Sequence, residues 1–146
     1  MIITLDEHRR ELGNRRTGPR IRARAERQLR ECFWHGKPYT KVIIMVGLPG
    51  AGKSTWAQAH DDDHTVIYDT CNSTVSARAR IKLQAGAPRT EMVWIDTPVT
   101  ECLIRNEDRL KANRVPEHII RWMARTMEPP GFHEAHKVTR VPGFSH

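Results

Sequence analysis

Cysteine is scarce in this chain, and so is acid. The three cysteines, Cys32, Cys71 and Cys102, are odd in number and far apart, and no C-x-x-C pair occurs. A disulfide framework and a cysteine-rich zinc site are therefore excluded as the basis of the fold, and the thiols are expected to be reduced. No apolar run approaches the ~20 residues that a membrane-spanning helix requires. Met1-Ile2-Ile3-Thr4-Leu5 is too short for the apolar stretch of a secretion signal. Internal repeats and low-complexity tracts are absent as well. These absences lead to the expectation of a soluble, cytoplasmic protein with no membrane partner. The 146 residues suffice for one hydrophobic core, and a chain of this size buries roughly two thirds of its unfolded surface without cross-links.

The shortage of acid leaves 24 Lys and Arg against 17 Asp and Glu, a net charge of +7. The excess is uneven: residues 1–40 hold nine Arg and one Lys against five acids. Arginine suits phosphate because its planar fork pairs with two oxygens at once. The segment is thus expected to contact nucleic acid, the bland reading being a solvated helix face. Within it, Thr4-Leu5-Asp6-Glu7 has the form of a capping box and predicts a short helix ending near Gly13-Asn14. A second helix is predicted from Pro19 to about Phe33, with Ile21, Ala25, Leu29 and Cys32 on one face. Arg20, Arg24, Arg27 and Arg30 occupy its remaining surface. Gly36-Lys37-Pro38 closes the region.

From Lys41 the pattern changes. Val42-Ile43-Ile44-Met45-Val46 is a continuous apolar run ending at glycine, the pattern of a strand buried on both faces of a parallel sheet. Thr65-Val66-Ile67-Tyr68 and Met92-Val93-Trp94-Ile95 are further strands, and Lys137–Val141 is a weaker one. Helical segments fall between them at Lys53–His60, Ser76–Gln84, Val99–Asn113 and Pro116–Met127. Alternating strands and helices predict a parallel α/β sheet. The expected fold is a three-layer P-loop NTPase or kinase core over residues 41–146, preceded by a basic helical extension over residues 1–40.

Gly47-Leu48-Pro49-Gly50-Ala51-Gly52-Lys53-Ser54 matches G-x-x-x-x-G-K-[ST] in full, directly after a buried strand and directly before a helix. The glycines let successive amides approach phosphate oxygens. The helix start at Lys53 directs its partial positive charge at the same anion. Lys53 is expected to reach the terminal phosphates and the Ser54 hydroxyl to ligate Mg²⁺. Gly47, Leu48, Pro49, Gly50, Ala51, Gly52, Lys53, Ser54 and Thr55 are therefore the predicted nucleotide-binding residues, with ATP and Mg²⁺ as ligands. A carboxylate at a neighbouring strand end is also needed, as a metal-shell group or a base. Asp69 is favoured for that place and Asp96 is its rival. Arg105 and Arg109, four apart in one predicted helix, either converge on a phosphate or form solvated pairs with Glu101 or Asp108.

Several blocks together resemble the bacteriophage polynucleotide kinases and their relatives. Thr100-Glu101-Cys102-Leu103-Ile104-Arg105-Asn106-Glu107-Asp108-Arg109, followed by Val115-Pro116-Glu117 and Met123, is similar to the lid segment of that family. Ile67-Tyr68-Asp69-Thr70-Cys71-Asn72, followed by Arg78 and Arg80, resembles its D-T-N strand end and downstream arginine. With Gly47–Thr55 these blocks cover roughly residues 41–127. The resemblance implies that Arg105 and Arg109 clamp phosphate, that Asp69 and Thr70 face the acceptor hydroxyl, and that Arg78 and Arg80 serve the substrate. One departure stands out. The family carries an extra strand and helix between the P-loop helix and the D-T-N strand, with a D-x-x-R element whose Asp is the usual general base. Only Asp61-Asp62-Asp63-His64 separates those elements here. By position the base is missing, so either Asp69 or one of Asp61–Asp63 is expected to serve instead, or the chain is not a working kinase.

A site lacking that unit is expected to be open, which favours a polymer over an enclosed metabolite. Arg20, Arg24 and Arg27 are then expected to grip a phosphate backbone, with DNA favoured over RNA. The expected activity is an ATP-dependent kinase acting on a nucleic-acid hydroxyl. That acceptor is either a strand's 5′-hydroxyl or a hydroxymethylpyrimidine in phage DNA, reached by base flipping. A small-metabolite or nucleoside kinase, and a nucleotide-binding accessory protein without transfer activity, are the alternatives.

Overall fold

A computed structural model of the chain describes residues 1–11, 18–34 and 38–143, with the side chains of residues 9–11 left aside. The predicted helix end at Gly13-Asn14 and the residues Gly36-Lys37 lie outside the described residues. All four apolar runs form strands: β2 (Lys41–Val46), β3 (Thr65–Asp69), β4 (Arg89–Asp96) and β5 (Lys137–Pro142). A fifth strand, β1 (Ile2–Thr4), precedes them. The helices are α1 (Leu5–Glu11), α2 (Gly18–Cys32), α3 (Lys53–His60), α4 (Val75–Ala85), α5 (Val99–Glu107) and α6 (Glu117–Thr126). Among the described residues no helix is long and apolar enough to cross a membrane.

The strands make one all-parallel sheet in the order β1-β3-β2-β4-β5. Period-two alternation sends Val42 and Ile44 to one face and Ile43 and Met45 to the other. On the first face Ala25, Leu29 and Cys32 of α2, with Ile81 and Ala85 of α4, close a core over Ile3, Val66, Tyr68 and Met92. On the second, Ala57 of α3, Cys102 of α5 and Ile120 of α6 cover Ile67, Val93 and Ile95. The architecture is thus helix–sheet–helix, as parallel sheets require.

Two expectations are corrected. Residues 1–40 were expected as a helical extension, yet β1 is an outer strand of the sheet, with Ile2, Ile3 and Thr4 opposite Ile67, Tyr68 and Asp69. The reason is physical: β3 needs a partner on its outer edge, and the apolar stripe of α2 needs a sheet to cover. The helix expected over Val99–Asn113 ends at Glu107, before a short 3₁₀ turn at Lys111–Asn113. Here the Asn106 side chain intervenes, donating to the Val115 carbonyl at 2.7 Å and accepting from its amide at 3.0 Å. That exchange closes the loop and replaces further helical bonds.

The chain leaves β2 through α3 to reach β3 on one side, then crosses through α4 to β4 on the other. The connection leaving β2 thus runs to one side and that leaving β4, through α5 and α6 to β5, to the other, so they diverge between the carboxyl ends of β2 and β4. In open α/β sheets a crevice opens at such a switch point.

Candidate functional site

The turn Gly47–Gly52 sits at that switch point. Gly50 has φ of 82°, and a Cβ there would meet the Cys102 carbonyl oxygen at 2.7 Å. Only glycine fits, so α5 packs directly on the turn. Burial in this contact pushes the Cys102 thiol above its ordinary range. Gly52, with φ of 105°, starts α3. The Thr97 hydroxyl donates to the Ala51 carbonyl at 2.7 Å, and the Gly47 amide donates to the Cys71 carbonyl at 3.1 Å. The turn is therefore held from both neighbouring strand ends.

Lys53 is buried and donates to the carbonyls of Gly47 and Leu48 at 3.1 and 2.7 Å. Its Nζ also lies 3.6 Å from Cys71 Sγ. The Ser54 hydroxyl donates to Asp69 Oδ2 at 2.6 Å, joining the first turn of α3 to the end of β3. Asp69 is buried. Beside it, the Thr70 hydroxyl oxygen is buried with no hydrogen-bond partner, a group that a ligand at this edge would satisfy.

Arg105 donates to the Ala51 carbonyl at 3.1 Å and to Glu101 Oε1 at 3.2 Å. Arg105 is thus paired with Glu101, as one of its two readings expects, and it also lies against the turn. Arg109 falls beyond the end of α5, so the predicted i,i+4 geometry does not apply. It still lines the same cavity as Arg105, a space of about 590 Å³ bounded also by Gly50–Thr55, Trp56 and Val141. The ring of Trp56 stacks on His60 with centroids 3.8 Å apart.

The rival carboxylate is committed elsewhere. Asp96 Oδ2 accepts from Arg140 Nε and Nη2 at 2.8 and 2.7 Å on the β5 side of the sheet. Asp61–Asp63 immediately precede β3 and so stand at the amino edge of the sheet, a strand's length from Ser54. Asp62 there accepts from the His64 amide at 2.9 Å. Of the two places expected for the base, Asp61–Asp63 thus lie away from the turn and Asp69 lies beside it. No group of three or more His, Cys, Asp or Glu among the described residues is arranged to hold a metal ion.

Of the two arginines expected to meet substrate, Arg78 is engaged within the fold and Arg80 is exposed but paired. Arg78 has no exposed surface and pairs with Glu134 through Nε at 3.0 Å and Nη2 at 3.2 Å. Arg80 donates to Glu26 of α2 at 3.0 Å. Arg20, Arg24 and Arg27 are exposed on α2, on the sheet face opposite α3, α5 and α6.

Asp6 escaped the sequence reading, which saw in Thr4–Glu7 only a helix cap. The cap exists, with the Glu7 amide donating to Thr4 Oγ1 at 3.1 Å. But Thr4 pairs in register with Asp69, so Asp6, two residues on, stands at the same carboxyl edge of the sheet as Asp69. The signal was present as Asp6-Glu7-His8-Arg9, a D-x-x-R spacing at the start of α1.

Fold and site together define an all-parallel α/β protein with a glycine-rich turn, a lysine and a Ser–Asp pair at its switch point. No protein-family model matches the chain. Nor does any curated protein.

Proposed function

We propose that the chain is an ATP-dependent P-loop kinase that transfers the γ-phosphoryl group to a hydroxyl on nucleic acid. The observation that carries this reading is the Ser54–Asp69 hydrogen bond beside Lys53 at the switch point. A hydroxyl and a carboxylate so joined fit Mg²⁺, which keeps most of its water and takes one or two protein oxygens plus phosphate oxygens. Ser54 and Asp69 would hold it, and bound there it would neutralise charge on the phosphates. Lys53, Arg105 and Arg109 supply the remaining cations around the transferred group.

Asp69 is occupied by Ser54, so the acceptor's proton needs another carboxylate. Asp6 fills that role in this reading. The strand–helix unit with D-x-x-R that the polynucleotide kinases carry between two later elements corresponds here to β1 and α1, moved to the front of the chain. In the transfer step the acceptor oxygen bonds to the γ-phosphorus while its proton passes to Asp6. The bond to the β–γ bridging oxygen breaks, and its electron pair leaves with ADP.

The acceptor class rests on the resemblance and on the exposed arginines of α2. ATP consumption should rise on adding 5′-hydroxyl oligonucleotides or hydroxymethylated DNA, and Lys53→Ala and Ser54→Ala should abolish that rise without loss of fold. Turnover with small alcohols or nucleosides but not with polymers would move the acceptor to the metabolite class. Unchanged turnover in both variants would overturn the assignment of the turn.

A further inference from the structure

Arg78 is the largest side chain with no exposed surface among the described residues. Its partner Glu134 keeps only 9% of its side chain accessible. Burying a charged pair gains little stability over apolar residues of the same size, so such a pair calls for a reason beyond cohesion. The third bond of the guanidinium supplies one. Arg78 Nη1 donates to the Asn72 carbonyl at 2.9 Å.

Asn72 is the one non-glycine residue with positive φ among the described residues, at 45°. Such a conformation persists only where the surroundings hold it. Its side-chain amide donates to the Met45 carbonyl of β2 at 2.9 Å, while Arg78 takes its main-chain oxygen. The residue before it, Cys71, accepts the Gly47 amide. Three residues before Asn72 stands Asp69, the acceptor of Ser54. One buried guanidinium thus fixes a turn that touches both the glycine-rich loop and the carboxylate.

The far side of the pair is equally tied. Glu134 Oε2 accepts the Gly131 amide at 2.7 Å, and the Ser73 carbonyl accepts the Glu128 amide at 2.8 Å. Segment 128–134 is thereby clamped to the end of β3 without entering the cavity.

We propose that Arg78 and Glu134 are positioning residues that hold the Asp69–Asn72 turn, and through it Gly47, in register for phosphoryl transfer. The proposal rests on the kinase reading for its rate effect but not for its structural one. Apolar side chains could replace the pair as packing, yet none could donate to Asn72. Arg78→Met/Glu134→Leu is therefore the decisive variant, because it removes both charges together and leaves neither stranded. It should melt within about 5 °C of wild type. Its kcat for transfer should fall by on the order of 10²-fold, as for a small misplacement of reacting groups, with KM for ATP within about threefold of wild type. Hydrogen exchange of the Gly47 amide should speed up by about tenfold or more. Arg78→Lys should rescue little of the rate, since an ammonium lacks the fork that serves Glu134 and Asn72 together.

Wild-type kcat and wild-type Gly47 exchange in the folded double variant would overturn the proposal and leave the pair as a structural staple. If that variant does not fold, Arg78→Lys carries the test, and Gly47 exchange unchanged from wild type in it would overturn the proposal. Should the wild-type protein transfer no phosphate at all, the kinase reading fails. Gly47 exchange then still judges the positioning.

Discussion

Asp69 and Asp96 close the two strands that flank β2, and their partners tell them apart. Asp69 accepts from Ser54 and Asp96 from Arg140. Asp69→Asn should therefore lower transfer by several orders of magnitude and weaken its dependence on Mg²⁺, while Asp96→Asn should leave kcat within about threefold of wild type. Steady-state kinetics over a Mg²⁺ series decides between them, and a damaging Asp96→Asn with a mild Asp69→Asn would reverse the assignment. Asp6→Asn should lower kcat with little change in KM for ATP, as expected for a base on the acceptor side. Arg105→Ala and Arg109→Ala should each cost about 10²-fold in kcat. Arg105 rests on the Ala51 carbonyl, so it must exchange that acceptor for a phosphate oxygen to act. A purely structural Arg105 would instead show lowered stability and unaltered kinetics.

At the scale of elements, the contact between α5 and the glycine-rich turn is the most exposed to test. Gly50→Ala places a methyl group against the Cys102 carbonyl at a left-handed φ. It should cost about 1–3 kcal/mol in stability through strain and raise KM for ATP, both measurable on the purified variant by melting and nucleotide titration. The elements themselves were readable where the signal is local. The run Val42–Val46 reads as strand because both its faces are buried, and Lys53–His60 reads as helix because the glycines before it end the turn. Where a distant partner decides, the reading failed. Ile2–Thr4 is too short to declare itself a strand, and only pairing with β3 makes it one. The end of α5 depends on where the Asn106 side chain turns. Arg78 reads by resemblance as a substrate arginine, since nothing in a helix pattern announces a glutamate that meets it from 56 positions away.

Over the whole molecule, charge is divided by the sheet. The exposed arginines of α2 lie on one face, and the cavity with Arg105 and Arg109 belongs to the other side and the carboxyl edge. If Arg20, Arg24 and Arg27 follow a phosphate backbone, changing all three to Gln should reduce the salt slope of duplex binding by about 0.9 per lost contact. KM for the polymer should rise while KM for ATP stays level. Arg30 is left out of that set because it donates to Gln84 of α4 at 2.6 Å. An unchanged slope would make these arginines a solvated face and bring the metabolite reading forward. Glu134 adds an acid-side dependence. Burial raises its pKa, but the Arg78 hydrogen bonds, the Gly131 amide and the Arg78 charge outweigh that and hold the carboxyl below its ordinary range. Its contribution to stability is complete above the ordinary glutamate range and is lost as pH falls through the lower folded value. Arg78→Met/Glu134→Leu should lack that part of the acid unfolding curve.

The pairing of β1 with β3 has a consequence for how the chain comes to be folded. On the ribosome Ile2–Thr4 emerges well before its hydrogen-bonding partner, Ile67–Asp69, which follows only after α2, β2 and α3 have been made. Until then the apolar stripe Ile21, Ala25 and Leu29 has no sheet edge to close against. Loop closure over so long a separation is slow compared with helix formation. The segment of β1 and α2 is thus made before the sheet edge that locks it in place. For that interval a basic, amphipathic helix waits unpaired, open to chaperones and to any polyanion near the nascent chain.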